Sequence, residues 1–310
     1  MDRVILESPY AGDVEVNLNY LRLCMRDCLM LGEAPFASHG LYAQPGVLDD
    51  CDPEQRALGI EAGLAWGTAA RKTVVYIDRG ISRGMRYGIE RASKEGRLVE
   101  YRTLHPIRIV TITGSSGAGK TSIIKKLLAQ NPFFKLVTSF TTRTARLSDL
   151  PGEYQCGISN ESFEFWNKEG KFLWLISAHG NSYGTLKDSV VDALIGSDLS
   201  FMPIVPDVIK PLRDYADAET KLAGRVLSFY ILSPPEEELR RRLKIRGEDD
   251  ATIEKRVGDC KQWDEAARNS EIPYIFISNN ELDRGVEKAA LEILKYLGVH
   301  DPMILPILNS

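Results

Sequence analysis

The sequence has no cysteine pattern that would staple it or load it with metal. Its five cysteines, Cys24, Cys28, Cys51, Cys156 and Cys260, are odd in number and scattered, without the paired close spacing of a zinc site. Reduced structural thiols are expected, and with them a cytoplasmic location. Long apolar runs are missing too. The most apolar early stretch, 18–31, is interrupted by Arg22, Arg26 and Asp27, and no signal-peptide pattern precedes it, so neither a membrane segment nor export is expected. Charge of one sign is also lacking: 39 basic against 43 acidic residues leave a net charge of −4, with no global drive toward nucleic acid or anionic membrane. Any phosphate must therefore be captured locally. Low-complexity linkers and internal repeats are absent. What remains, 310 residues that are 44% hydrophobic and 26% charged, is long enough for two globular cores.

The strongest local signal lies at 107–128, where a β-branched apolar run meets a glycine-rich turn and then a helix-period stretch. Gly114, four intervening residues, and then Gly119, Lys120 and Thr121 match the spacing of a phosphate-binding loop. The reason for that spacing is mechanical. The loop 114–122 (Gly114, Ser115, Ser116, Gly117, Ala118, Gly119, Lys120, Thr121, Ser122) turns successive N–H groups toward phosphate oxygens, and the helix opening near Lys120 adds partial positive charge. Lys120 is expected at the β- and γ-phosphates of ATP, with the Thr121 hydroxyl on Mg²⁺.

The first hundred residues alternate strands and helices, which implies a small parallel sheet with ligands at the carboxyl ends of its strands. A strand over 3–7 breaks at Ser8-Pro9-Tyr10-Ala11-Gly12-Asp13 before a helix, and Ser82-Arg83-Gly84-Met85 opens another. With Pro35-Phe36-Ala37-Ser38-His39, these segments resemble the nucleoside deoxyribosyltransferase-like superfamily, including its nucleoside-monophosphate N-glycosidases, over 3–101. The resemblance implies that Tyr10, Gly12, Asp13 and Ser82, with Gly84 and Met85 beside them, hold a 5′-phosphate. It also implies a nucleophilic glutamate four residues after Gly84, but that position is Gly88. Glu61 on the preceding helix could supply a carboxylate, although a solvated helix-face glutamate is the plainer reading, and His39 reads as a hydrogen-bonded loop histidine.

Leu104-His105-Pro106 marks the boundary, giving domains at 1–104 and 105–299 and a tail at 300–310. Beyond it, Ser139-Phe140-Thr141-Thr142-Arg143-Thr144-Ala145-Arg146, Gly152-Glu153-Tyr154 and His179-Gly180-Asn181-Ser182-Tyr183-Gly184-Thr185 resemble guanylate kinase. So do Arg242-Leu243-Lys244-Ile245-Arg246-Gly247 and Ile253-Glu254-Lys255-Arg256. The fold class expected is therefore α/β, two Rossmann-like parallel-sheet domains, the second a P-loop nucleoside monophosphate kinase with a mobile lid. By the resemblance Ser139, Arg143, Arg146, Tyr154, Tyr183 and Thr185 hold the acceptor monophosphate, and Arg242, Arg246 and Arg256 come from the lid as catalytic cations beside Lys120.

The guanine reader departs from the family pattern. Nine residues before Tyr183, where guanylate kinases carry an acid, stands Trp174, and the segment 201–205 has no acid either; Asp207 is the nearest polar substitute. An indole stacks on a base but cannot accept protons from guanine N1 and N2. The reading is an ATP- and Mg²⁺-dependent kinase for a nucleoside monophosphate with a non-guanine or modified base, carrying an N-terminal nucleotide-binding domain that by the resemblance is an N-glycosidase or derives from one, a pairing that by domain content suits modified-DNA metabolism. A kinase acting on a base substituent, a sugar or another non-monophosphate acceptor is one alternative, though it leaves Arg143, Arg146 and Tyr154 without a phosphate to hold. A non-catalytic binding module is another, and retention of Lys120, Thr121, Arg143 and Arg146 argues against it. A homo-oligomer is compatible with the sequence.

Overall fold

A computed structural model describes residues 1–146, 149–178, 180–196, 198–220, 224–280 and 284–297; the tail expected at 300–310 and His179 lie outside them. The chain divides into two compact units, Met1–Leu104 and His105–Ser310.

Unit 1 runs β1 (Asp2–Glu7), α1 (Val14–Met30), β2 (Glu33–Phe36), α2 (Ser38–Leu41), α3 (Pro53–Ala65), β3 (Lys72–Tyr76), α4 (Arg83–Lys94) and β4 (Leu98–Arg102). Its four strands are parallel in the order β2-β1-β3-β4. Asp13 starts α1 by accepting from the Val16 N–H, and Ser82 starts α4 by accepting from Met85 N. One core gathers Val4, Leu6 and Val74 from the sheet with Tyr20, Leu21, Cys24 and Cys28 from α1. Those two cysteines are thus packing residues. The sheet also buries charge: Arg102 grips Glu33 through two 2.7 Å bonds and Lys72 adds a third at 2.6 Å. This holds the Glu33 carboxyl down at about 2 against the cost of burial.

Unit 2 begins with β5 (Ile109–Gly114), α5 (Lys120–Gln130), β6 (Phe134–Leu136), β7 (Ser139–Thr141), β8 (Tyr154–Gln155), α6 (Asn160–Lys168), β9 (Phe172–Ala178) and β10 (Asn181–Leu186). It continues with α7 (Lys187–Ile195), β11 (Leu199–Pro203), α8 (Ile209–Thr220), β12 (Val226–Ile231), α9 (Glu236–Ile245), α10 (Asp250–Asn269), β13 (Ile275–Ile277) and α11 (Gly285–Tyr296). Five parallel strands order as β13-β12-β5-β11-β6, with β5 buried throughout. The chain leaves β5 between β12 and β11, at the point where crossovers part to either side, so the loop after it sits at a natural ligand crevice. Beside this stands a second sheet, β8-β7-β10-β9, whose β7-β10 and β10-β9 pairs are antiparallel. The expectation of parallel sheets alone did not include it, because strands as short as β7 and β8 carry too few residues to show a period.

Candidate functional site

The loop after β5 takes its shape from glycine. Gly119 caps α5 with φ +95°, a left-handed conformation costly for any side chain, and a Cβ there would lie 2.3 Å from Asn279 Nδ2. Asn279 is fully buried and donates to Ala118 O at 2.7 Å, a brace no local sequence signal announced. Lys120 donates to Gly114 O (2.6 Å) and Ser115 O (2.8 Å). Burial, with Arg246 nearby, lowers its pKa to about 8.

A cleft of about 420 Å³ opens on this loop. It brings together the expected Gly114, Ser115, Ser116, Lys120 and Thr121 with Ser139, Tyr154, Trp174, Tyr183 and Arg256, although these span 143 positions of chain. Arg256 reaches the loop directly, donating to Ser116 Oγ at 2.6 Å, and is steadied by Glu248 at 2.7 Å. Trp174 on β9 sits in an apolar stretch of the lining with Ile176, Pro203, Ile204, Val205 and Val208.

Other expected residues lie elsewhere. Arg242 is buried, bonded to Glu238, to Asn279 O (3.0 Å) and weakly to Gly117 O, so it braces the loop instead of lining the cleft. Arg242 lies three residues after Leu239 and one before Leu243 on α9, on the helix face that is buried. Arg246 is exposed. Arg143 is buried and gives both Nη atoms to Asp149 at 2.7 Å, which raises its pKa and holds that carboxylate below its ordinary range. Its guanidinium lies 4.9 Å from the Tyr154 ring, so it sets that phenol beside the cleft. Arg146 is exposed and its N–H caps Asp149. Thr185 is fully buried and shares a 2.7 Å hydrogen bond with Ser139, holding it from behind. Asp207 is exposed and does not line the cleft. The carboxyls that do are Asp259 and Glu153, the latter raised by burial and accepting from Leu150 N at 3.1 Å. Its place next to Tyr154 was the signal that could have found it.

Unit 1 has its own pocket, of about 170 Å³, at the carboxyl end of β1. Tyr10, His39, Ser82, Gly84 and Met85 line it as expected. Ser8 Oγ and His39 Nε2 share a 2.9 Å hydrogen bond, and burial drops the imidazole to about 4. Gly12 and Asp13 lie outside this pocket, Asp13 being committed to capping α1, and Glu61 is exposed on α3. Two acids line it, Glu7 at the end of β1 and Asp50, which pairs with Arg56; the sequence singled out neither.

Two family models match the chain. Residues 107–295 match "Guanylate kinase" and residues 2–102 match "Domain of unknown function (DUF7768)". A guanylate kinase from Wolinella succinogenes is 34% identical over 60% of this chain and 83% of its own length. One from Granulibacter bethesdensis is 32% identical over 58% and 80% respectively. A crystal structure of guanylate kinase from Anaplasma phagocytophilum aligns with 64% of this chain and 88% of that one, at 20% identity and TM-score 0.42.

Proposed function

The chain belongs to the guanylate kinase family through residues 107–295, and from that premise we propose that it transfers a phosphoryl group from ATP to a nucleoside monophosphate whose base is not guanine. Phosphoryl transfer is chiefly positioning and charge neutralisation. The loop N–H groups and Lys120 take the donor phosphates, and Lys120 exchanges its two carbonyl partners for phosphate oxygens. Ser139, Tyr154 and Tyr183 hold the acceptor phosphate, Arg143 positions Tyr154, and Arg256 spans toward the donor loop. Arg246, exposed at the end of α9, closes from the lid side.

The donor set suits Mg²⁺. Thr121 offers one hydroxyl at the cleft, and among the described residues no cluster of three or more His, Cys, Asp or Glu is found. An ion that keeps its waters and takes most other ligands from phosphates needs no more than that. When bound with the nucleotide it would neutralise charge on the β- and γ-oxygens.

The observation that carries the base preference is Trp174 among Ile176, Pro203 and Ile204. Guanine's ring donors, set against this wall, find no acceptor on Trp174 or its apolar neighbours, which disfavours GMP. For unit 1 the reading is a nucleotide-binding domain, supported by a pocket at the strand ends beside the Ser82 cap and His39. A coupled assay of ATP consumption over common and modified (deoxy)nucleoside monophosphates tests the kinase reading. Turnover with a non-guanine acceptor is expected; no turnover with any member would return the chain to the class of binding modules.

A further inference from the structure

Three residues of α10 tie that helix to the phosphate loop. Arg256, Cys260 and Asp264 are spaced four apart and so share a face of the helix. Arg256 donates to Ser116 Oγ at 2.6 Å, and Cys260 Sγ to Ser116 O at 3.8 Å. Asp264 reaches the neighbouring Ser115 through Ser233, which lies just beyond the end of β12. Ser233 donates its N–H to Asp264 Oδ2 at 3.1 Å and its hydroxyl to Oδ1 at 3.0 Å, while its Oγ lies 2.8 Å from Ser115 Oγ. A hydroxyl has a single proton, so with that of Ser233 given to the carboxylate, Ser115 is the donor between the two serines. Tyr230, fully buried on β12, brings a further donor to Asp264 at 3.0 Å.

The path continues to the reacting end. Ser115 O accepts from Lys120 Nζ at 2.8 Å, so hydrogen bonds run from Asp264 through Ser233 and Ser115 to Lys120. We infer that Asp264 is a positioning residue for phosphoryl transfer, holding α10 in register with the phosphate loop so that Arg256 meets the phosphate that Lys120 holds. The inference rests on the kinase reading. Asp264 and Ser233 do not line the cleft, whereas Arg256, Asp259, Cys260 and Trp263, all on α10, do. The carboxylate therefore acts through the helix that carries those groups, not by touching a nucleotide.

Of the links between α10 and the loop, this one survives turnover. Arg256 must release Ser116 to grip a phosphate, and a thiol donor at 3.8 Å is weak. The partners of Asp264, Ser233 and Tyr230, are groups that no nucleotide has to displace. Hydrogen bonds to an ionised carboxylate are also roughly twice as strong as neutral ones, which suits an anchor. Asp264 and Arg256 stand two turns apart, a rise of roughly 12 Å. A tilt of about 10° about the Asp264 end would carry the Arg256 backbone about 2 Å, where a misplacement of about 1 Å already costs about 10²-fold in rate.

The test uses the full chain, with steady-state kinetics on the best acceptor of the monophosphate panel and amide exchange of the ligand-free protein. Asp264→Ala should lower kcat by about 10- to 10²-fold, with KM for ATP and for the acceptor within about threefold of wild type. In the ligand-free chain it should speed exchange of the loop amides at 115–117 by about tenfold or more and leave those of β13 as they are. A double-mutant cycle separates positioning from plain support of the fold. In an Arg256→Ala background, Asp264→Ala should cost less than about threefold in kcat, because aiming the helix matters only while the arginine is there. Should Asp264→Ala fail to fold, Ser233→Ala, which cuts the path at its middle, should reproduce the kcat loss, the faster exchange and the non-additivity. Unchanged kcat, a loss confined to KM, or losses that multiply across the cycle overturn the positioning role and leave the kinase reading in place. A wild-type chain that turns over no acceptor overturns the kinase reading, and the role of Asp264 falls with it.

Discussion

The two units form their pockets by the same rule and differ in how they build them. In each, a parallel strand ends at a crevice and glycine clears a space there. In unit 2 the glycine is part of the site: Gly119, left-handed at φ +95°, shapes a loop whose own N–H groups are the ones proposed to bind phosphate. In unit 1 the glycine only makes way: Gly88 sits in ordinary helix, and the group it admits, Glu7, arrives from 81 positions earlier in the chain. A contiguous site keeps its chemistry in a motif, whereas an assembled one spreads it over residues that look unremarkable apart.

Lys120→Ala strikes only the contiguous site. It should lower phosphoryl transfer by about 10²-fold or more while unit 1 continues to bind nucleotide, since it removes the loop's own cation and nothing of unit 1. Retained kinase turnover in a steady-state assay would detach the loop from the reaction. Trp174→Glu comes next. It should move the GMP preference, as a ratio of kcat/KM values against the best other acceptor, by about tenfold or more toward guanine. An unmoved ratio would place the base reader elsewhere in the cleft, with Glu153 the first candidate.

The glycines themselves sharpen the contrast. Gly119→Ala should cost about 1–2 kcal/mol in chemical denaturation, because a left-handed residue is forced to carry a Cβ toward Asn279. Gly88→Ala should cost none and could gain up to about 1 kcal/mol of helix propensity, since what its Cβ meets is the far end of a flexible side chain. Equal losses at both positions would erase the distinction.

The smallest effects are in pH dependence. Glu33, held near 2, stabilises the folded chain above its unfolded value of about 4.5, and that contribution is lost as pH falls through about 2. Glu7 runs the other way. Folded, it keeps a proton that the unfolded chain has released, so stability falls as pH rises from about 4.5 to about 8. His39, depressed to about 4 from 6.5, opposes this below about 6.5. The slope due to Glu7 is therefore clearest between about 6.5 and 8, and Glu7→Gln should flatten it there in denaturation curves of the full chain.

Legibility followed the same division. The α/β class, the phosphate loop and its helix were readable because a strand run, a glycine turn and buried Ile123, Ile124 and Leu127 follow one another directly. Trp174 could be located by counting back from Tyr183. The arginines were readable as a set but not as individuals: Arg256 lines the cleft, whereas Arg242 turns into the protein because α9 buries Leu239 and Leu243 on its own face. Asn279 was hidden because its role comes from tertiary contact, whereas Glu153 stood beside an expected residue, Tyr154. Gly88 was legible only as a loss, since nothing local says that the space it leaves is taken by the end of β1.

The central claim, that the acceptor cleft has exchanged its guanine reader for an apolar wall, is tested most directly by kcat/KM for GMP measured beside a panel of other (deoxy)nucleoside monophosphates. At least one non-guanine acceptor should exceed GMP and dGMP. GMP as the best acceptor in that panel would contradict it.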